Sequence, residues 1–297
     1  GVGIKLEYID TTVRPQDDFF KYVNGGWINK TEIPADQGRW GSVNELREFN
    51  NEAVLKVLKK AAENTTLYPD GTDQRKAADF YSIGMDSLLV EKAGIEPVKP
   101  YLEKINAINS KNDIQHYLAE DMLTGGGAFF GISVIPDLKN SKKMAAYLDA
   151  GGIGLPERDY YLNKDEKSKE TREKYKIYLS TLFGLVGEPT EKASKDAESV
   201  LALETQLASS MLSKEDRRNP TLQYNPKSLP ELSKLVPSVN WSTYFNALNI
   251  KEDTIIATEP AFLKEYEKIV NRYSLEEIKT YLKAALLRGA APFLNHD

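Results

Sequence analysis

Asp17-Asp18-Phe19-Phe20-Lys21-Tyr22-Val23-Asn24-Gly25-Gly26-Trp27, then Ile33-Pro34, then Arg39-Trp40-Gly41-Ser42-Val43-Asn44-Glu45-Leu46-Arg47, predicts two consecutive helices with an unusual joint. Asp17 or Asp18 can cap the first, because a carboxylate oxygen accepts from the free amides of a first helical turn. Phe19, Phe20, Tyr22, Val23 and Trp27 supply its apolar face. Gly25 and Gly26 lie inside that face and each costs roughly 1 kcal/mol of helix propensity. Beside a tryptophan, the pair predicts that another backbone passes close by. Ile33-Pro34 ends the run and residues 35–41 read as a loop. A second helix opens at Ser42, with Glu45 as the partner in a capping box, and continues through Val43, Leu46, Ala53 and Val57.

Arg39 and Arg47 stand at this joint. One reading is a pair of solvated arginines or weak surface ion pairs. The other is a paired guanidinium site for a carboxylate, which the planar fork of arginine suits.

Outward from the joint, composition sets bounds. The chain has 297 residues, 41% hydrophobic, enough for one large domain or two modest ones with a sizeable core. A net charge of −5 with acids and bases interspersed argues against a nucleic-acid partner. No apolar run approaches the ~20 residues that span a bilayer. Cysteine is absent, which excludes disulfides and thiolate metal ligands. No signal peptide is recognisable, and Gly1 reads as a trimmed start.

Further along, Pro69-Asp70-Gly71 marks a turn, and a helix is predicted from about Asp73 with Ala77, Tyr81, Met85 and Leu88 on one face. Two short helices follow, 97–108 and 113–123, the second capped by Asn112 or Asp113. Gly125-Gly126-Gly127 then changes the period. It reads as a connector; a phosphate loop is disfavoured, since no Lys-Ser pair follows and the next element is a strand. Residues 128–135 and 143–149 predict a β-hairpin. A loop from Gly151 to Tyr161 contains Arg158 and Asp159, predicted to fix it by an internal ion pair. Helices are predicted over 163–186, from a cap at Thr190 to Met211, over 229–235, 241–248 and 261–272, and from a Ser274/Glu277 capping box onward. Asp216-Arg217-Arg218-Asn219-Pro220 reads as a helix end with a hydrogen-bonded turn. Residues 254–257 predict a further short strand or an extended link. The fold class is therefore mainly α, with one β-hairpin at about 128–149.

Several strings carry a resemblance. Asp18-Phe19-Phe20-Lys21-Tyr22, Gly25-Gly26-Trp27, Ile33-Pro34, Arg39-Trp40-Gly41 and Leu46-Arg47, then Gly154-Leu155-Pro156-Glu157-Arg158-Asp159-Tyr160-Tyr161, and more weakly residues 216–220 with Tyr224-Asn225, are similar to the N-terminal region of the neprilysin family. These are zinc metallopeptidases that include endothelin-converting enzyme and the bacterial oligopeptidase O enzymes. The resemblance implies one non-catalytic helical domain over 1–297, lying before a zinc-binding catalytic domain. It implies an arginine pair that reaches a peptide in the active-site cavity, by position Arg39 and Arg47. Val43 and Asn44 occupy the slots facing that cavity, where animal enzymes have Phe-Asp. One arginine of the pair would hold the C-terminal side of an oligopeptide substrate. Asp17 and Asn24 stand close to where animal members carry cysteines, which favours a bacterial member, in the periplasm or outside the cell, with the cytoplasm as the alternative.

The residues themselves offer no catalytic constellation. A zinc peptidase needs two histidines one helical turn apart and a nearby acid. This chain has His116 and His296 only, with no His-Glu-x-x-His, no Gly-x-Ser-x-Gly and no cysteine nucleophile. His116 reads as a surface residue and His296 as part of a frayed terminus. The expectation is thus no metal or cofactor in this chain, with zinc in the full-length enzyme. A stand-alone helical binding or adaptor domain is the competing reading.

Overall fold

A computed structural model describes residues 3, 5–35 and 37–295, so His296 lies outside the described residues. The chain divides into two compact units, Gly1–Asp86 and Ser87–Asp297. Each is built differently.

In the first unit, α1 (Phe19–Ile28) starts at Asp18, whose carboxylate accepts from the Lys21 amide at 2.9 Å. Gly26 does receive another backbone, while Gly25 faces the Asp10 side chain. A 3-10 turn, Leu6–Tyr8, lies against α1, and a Cβ on Gly26 would collide with the Glu7 carbonyl and come within 3.0 Å of the Tyr8 backbone. The Asp10 amide donates to the Tyr22 carbonyl at 2.8 Å and ties this segment down. Helix α2 (Ser42–Glu63) departs from expectation at its start. Gly41 rather than Ser42 is the cap and, as glycine, brings no side chain to it, while the Glu45 carboxylate accepts from the Trp27 indole at 2.8 Å. A tertiary bond has taken the group that a capping box requires.

Helix α3 (Asp73–Gly84) is capped by Thr72, which follows a turn with Gly71 at φ +83°. The predicted stripe of Ala77, Tyr81, Met85 and Leu88 does not form one buried face. The helix stops at Gly84, Met85 and Leu88 are 64% and 81% exposed, and the buried position is Ala78. Close packing of α3 on α2 favours the small side chain. Among the described residues of this unit, the buried apolar side chains are Ala61 and Ala78 alone.

The second unit opens with α4 (Ser87–Ala93), α5 (Lys99–Asn106) and α6 (Lys111–Leu123). The cap of α6 is Ser110 rather than Asn112 or Asp113. Asp113 sits at the third position, accepting from the Ser110 amide at 2.9 Å and the Asn109 amide at 3.0 Å. The hairpin is β1 (Phe130–Asp137) and β2 (Asn140–Ala150), paired from Phe130 opposite Ala150. After α7 (Asp159–Leu162) come α8 (Glu166–Leu185), capped by Asp165, and α9 (Thr190–Ser210). Thr190 is the first helical residue, and its cap position is Pro189. Then follow α10 (Pro220–Gln223), β3 (Asn225–Ser228), α11 (Leu229–Leu235), α12 (Trp241–Ala247), β4 (Thr254–Ala257), α13 (Pro260–Arg272) and α14 (Leu275–Ala290). The Ser274/Glu277 capping box forms as predicted.

The sheet order is β1-β2-β4-β3, with β2 and β4 parallel and the other pairs antiparallel. Its inner side meets an aromatic cluster in which Phe130 lies within 5.7 Å of the Trp241, Tyr244 and Tyr266 rings. Such pairs add about 0.5–1.5 kcal/mol each beyond their buried area. Helices α9, α13 and α14 complete the core with Leu203, Ile269, Ile278 and Leu282. The fold is mainly α with a small four-stranded sheet. No helix among the described residues is long and apolar enough to cross a membrane.

Candidate functional site

The joint between α1 and α2 sets the positions of the four predicted binding residues. Glu45 faces Trp27, so that side of α2 is turned towards α1. Successive helical residues are about 100° apart, which puts Val43 and Arg47 roughly opposite Glu45. Val43 is 79% exposed. The Arg47 guanidinium is also free of the interior; its Nε lies 3.5 Å from Glu48, with both side chains about half exposed, a pairing worth little. Asn44 is half-buried and Arg39 is exposed in the loop before α2. The structure thus brings Val43 and Arg47 to one side of α2, with Arg39 three residues before the first helical turn.

The charged centre that sequence reasoning missed lies in the second unit. Glu204 on α9 is fully buried. It accepts from the Tyr161 hydroxyl at 2.7 Å, the Tyr175 hydroxyl at 2.9 Å and the Gly154 amide at 3.2 Å, and is paired with Arg288 of α14. Arg288 also donates to Tyr175 at 2.6 Å. Burial, then the facing Glu204 carboxylate, pushes the Tyr161 and Tyr175 hydroxyls up. Burial is the largest single influence and opposes the Arg288 charge, but Glu204 together with the Tyr175 and Tyr281 hydroxyls outweighs it and holds the guanidinium above its usual range. A glutamate at core-facing helical spacing beside Val200 and Ala208 was the available signal, since a buried charge must find a partner.

This network also fixes the Gly151–Tyr161 loop. Tyr161 accepts from the Leu155 amide at 2.7 Å, and Tyr281 donates to the Gly152 carbonyl at 2.7 Å. The predicted Arg158–Asp159 pair is a minor element. Its closest approach is 4.0 Å with Asp159 more than half exposed, and Arg158 instead donates to the Met211 carbonyl. At the 216–220 turn, Arg217 reaches buried Glu259 at 3.1 Å and Asn219 caps α10.

The second unit also carries a cleft of about 680 Å³, lined by Tyr101, Asp121, the Gly125–Gly127 loop, Leu286, Arg288 and Phe293. Burial pushes the Asp121 carboxyl up, partly offset by the Ala128 amide at 3.2 Å.

Among the described residues, no group of three or more His, Asp or Glu could hold a metal ion. His116 is exposed on α6, and Asp113, the carboxylate that feels its charge, is committed to the helix cap.

The sequence model of Peptidase family M13, in its N-terminal part, matches residues 15–297. Endothelin-converting enzyme 1 of Mus musculus is 32% identical over 98% of this chain and 38% of its own length. Neprilysin-3 of Drosophila melanogaster is 30% identical over 89% of the chain and 35% of its own. Among solved structures, zinc metalloprotease Zmp1 of Mycobacterium tuberculosis, in complex with inhibitor, superposes with TM-score 0.86 at 29% identity, covering 99% of this chain and 45% of that one. PepO of Lactobacillus rhamnosis HN001, at 18% identity and TM-score 0.76, shares the fold. The chain therefore spans about two fifths of the length of the curated relatives it matches. A match that begins before α1 and runs through α14 identifies the chain as a member of peptidase family M13, corresponding to the N-terminal domain of the neprilysin and PepO enzymes.

Proposed function

We propose that this chain is the substrate-enclosing part of a zinc metalloendopeptidase that hydrolyses oligopeptides. The supporting observation is the family match from residue 15 to residue 297, against relatives named as a converting enzyme and a zinc metalloprotease. In this reading the metal and the reacting carbonyl are handled by a catalytic domain that follows in the whole protein, and the 297 residues alone cleave nothing. What they contribute is binding. Arg47, turned away from α1 and only loosely paired, and Arg39, exposed in the preceding loop, supply cations for a substrate carboxylate. Val43 and Asn44 shape the adjoining surface. A valine and an asparagine there make that surface smaller and less charged than the Phe-Asp of animal enzymes. An envelope or extracellular location, periplasmic if the source is bacterial, accompanies this reading, and cell fractionation checks it.

The test uses the whole enzyme, read against a peptide and its C-terminal amide. A charge-assisted hydrogen bond is worth about 1.5–3 kcal/mol, so Arg39→Ala or Arg47→Ala should lower kcat/KM for the free-acid peptide by roughly tenfold to a hundredfold. The amide, which lacks the carboxylate, should change far less. Equal cleavage of the acid by parent and both variants would end the anchoring role.

A further inference from the structure

We infer that the cleft beside the Gly125–Gly127 loop is a binding site for a primary ammonium carried on an apolar body, with Asp121 as its anionic contact. The site lies wholly within the second unit and does not depend on the proposed arginine anchor.

The loop backbone decides the sign of the ligand. A glycine-rich loop can cradle an anion when its amides are free to point at it. Here they are spent inside the protein. The Gly125 amide donates to the Met122 carbonyl at 3.3 Å and the Gly126 amide to the Asp121 carbonyl at 2.8 Å. The amides of Gly127 and Ala128 donate to the Asp121 carboxylate, the second at 3.2 Å, and that of Phe129 donates to the Tyr281 hydroxyl at 3.0 Å. A Cβ on Gly126 would collide with the Asp121 carboxylate, so the glycine is what lets the acid lie against the loop. What this wall offers a ligand is an acceptor.

The charges point the same way. Asp121 and Arg288 are the acid and base among the lining residues. Arg288 is already committed, paired with buried Glu204 and donating to Tyr175. The influences on Asp121 are burial and the two loop amides, with no cation among them. The wall therefore keeps one half-buried carboxylate without a counter-ion. Such a group weakens the fold, and a perturbed carboxyl in a cleft marks a place where a ligand is met. The rest of the cleft is apolar. Its volume of about 680 Å³ suits a small molecule, and Leu286 stands with the rings of Tyr101 and Phe293, 42% and 80% exposed. Ring faces of this kind cover an apolar stem and attract the cation it carries.

Calorimetric titration of the whole protein at pH 7 tests this. 2-Phenylethylamine should bind about tenfold more tightly than neutral 2-phenylethanol, or better, since a charge-assisted hydrogen bond is roughly twice as strong as a neutral one. Asp121→Asn should remove that advantage, with a urea midpoint at or above the parent's to show that the variant is folded. Phe293→Ala should weaken binding of the amine by removing a ring from the wall. Phenylalaninamide and its N-acetyl form identify the source of the ammonium. An amide as tight as the amine, with the acetylated form silent, means the amino terminus of a peptide; a much weaker amide means a free amine. Equal affinity for amine and alcohol, or equal amine affinity in the parent and either variant, would overturn the inference. So would a cleft filled by polypeptide outside the 297 residues, seen as no binding of the amine at millimolar concentration.

Discussion

The two units are made of the same kind of amphipathic helix and differ in what those helices cover. In the second unit, every long helix turns a face onto a shared core. Leu203 and Leu207 of α9, Ile269 of α13 and Leu282 of α14 are each fully buried, and the buried Glu204 among them is paired with Arg288. In the first unit, α2 is longer than any of these, yet its valines and Phe49 are exposed. Helical pattern is therefore a statement about what a segment is meant to meet, and carries no information on whether the partner is within reach. The second unit meets its partners within itself. The first has the pattern and lacks the core.

The sharpest way to break that comparison is to remove the buried charge on which the second unit depends. Glu204→Ala leaves Arg288 without its counter-ion in a low-dielectric interior, together with two hydroxyls that lose their acceptor. Breaking a buried pair in this way costs about 3–5 kcal/mol. With Trp27 and Trp40 replaced by Phe, Trp241 reports on the second unit alone in urea unfolding. A midpoint within the error of the parent would mean that the network is dispensable and the core is apolar in its energetics. Gly152→Ala is expected to cost less, about 1–3 kcal/mol from backbone strain, with steric overlap added. Its φ of +78° disfavours a side chain, and a Cβ there would lie 2.5 Å from the Phe129 amide nitrogen and collide with the Tyr281 hydroxyl. The same reporter reads it.

The contrast also marks what was legible beforehand. Asp18, Ser274 and Glu277 cap their helices as predicted because a cap needs only residues three apart. The β-hairpin was legible because Ile132, Val134 and Ile135 carry strand preference locally. By contrast β3, Asn225-Pro226-Lys227-Ser228, has none; it exists because β4 offers an edge and the Asn225 side-chain Nδ2 donates to the Ala257 carbonyl at 3.1 Å. The Ser42/Glu45 box failed because the helix takes Gly41 as its cap, leaving Ser42 inside the first turn, and because Trp27 holds the Glu45 carboxylate. For the proposed site, a paired guanidinium site at Arg39 and Arg47 was one reading of the residues themselves, whereas their cavity role and the choice of Val43 and Asn44 rest on the family resemblance alone. Glu204 could be placed at a core-facing position, but its partner stands 84 residues away and no local pattern joins them.

The smallest expected effect concerns the Asp121 carboxyl beside the Gly125–Gly127 loop. Burial pushes it up, so the folded state holds the proton more tightly than the unfolded chain does. Stability from this group is then full below the ordinary carboxylate value of 3.8 and declines as pH rises from there to the raised folded value. Asp149 is raised by burial too and acts in the same direction. Hydrogen-bonded carboxylates such as Asp113 and Asp165 are lowered and act oppositely. The sum over the chain therefore hides the effect, and a difference between two proteins isolates it. Asp121→Asn keeps an oxygen for the Ala128 amide and removes the charge. Parent and variant should differ least in stability at pH 3, with the variant gaining relative to the parent as pH rises and holding that gain at pH 7. Trp241 fluorescence in urea at each pH measures the difference. Parallel stability curves across that range would show that the buried carboxyl is solvated as well in the folded protein as in the unfolded chain.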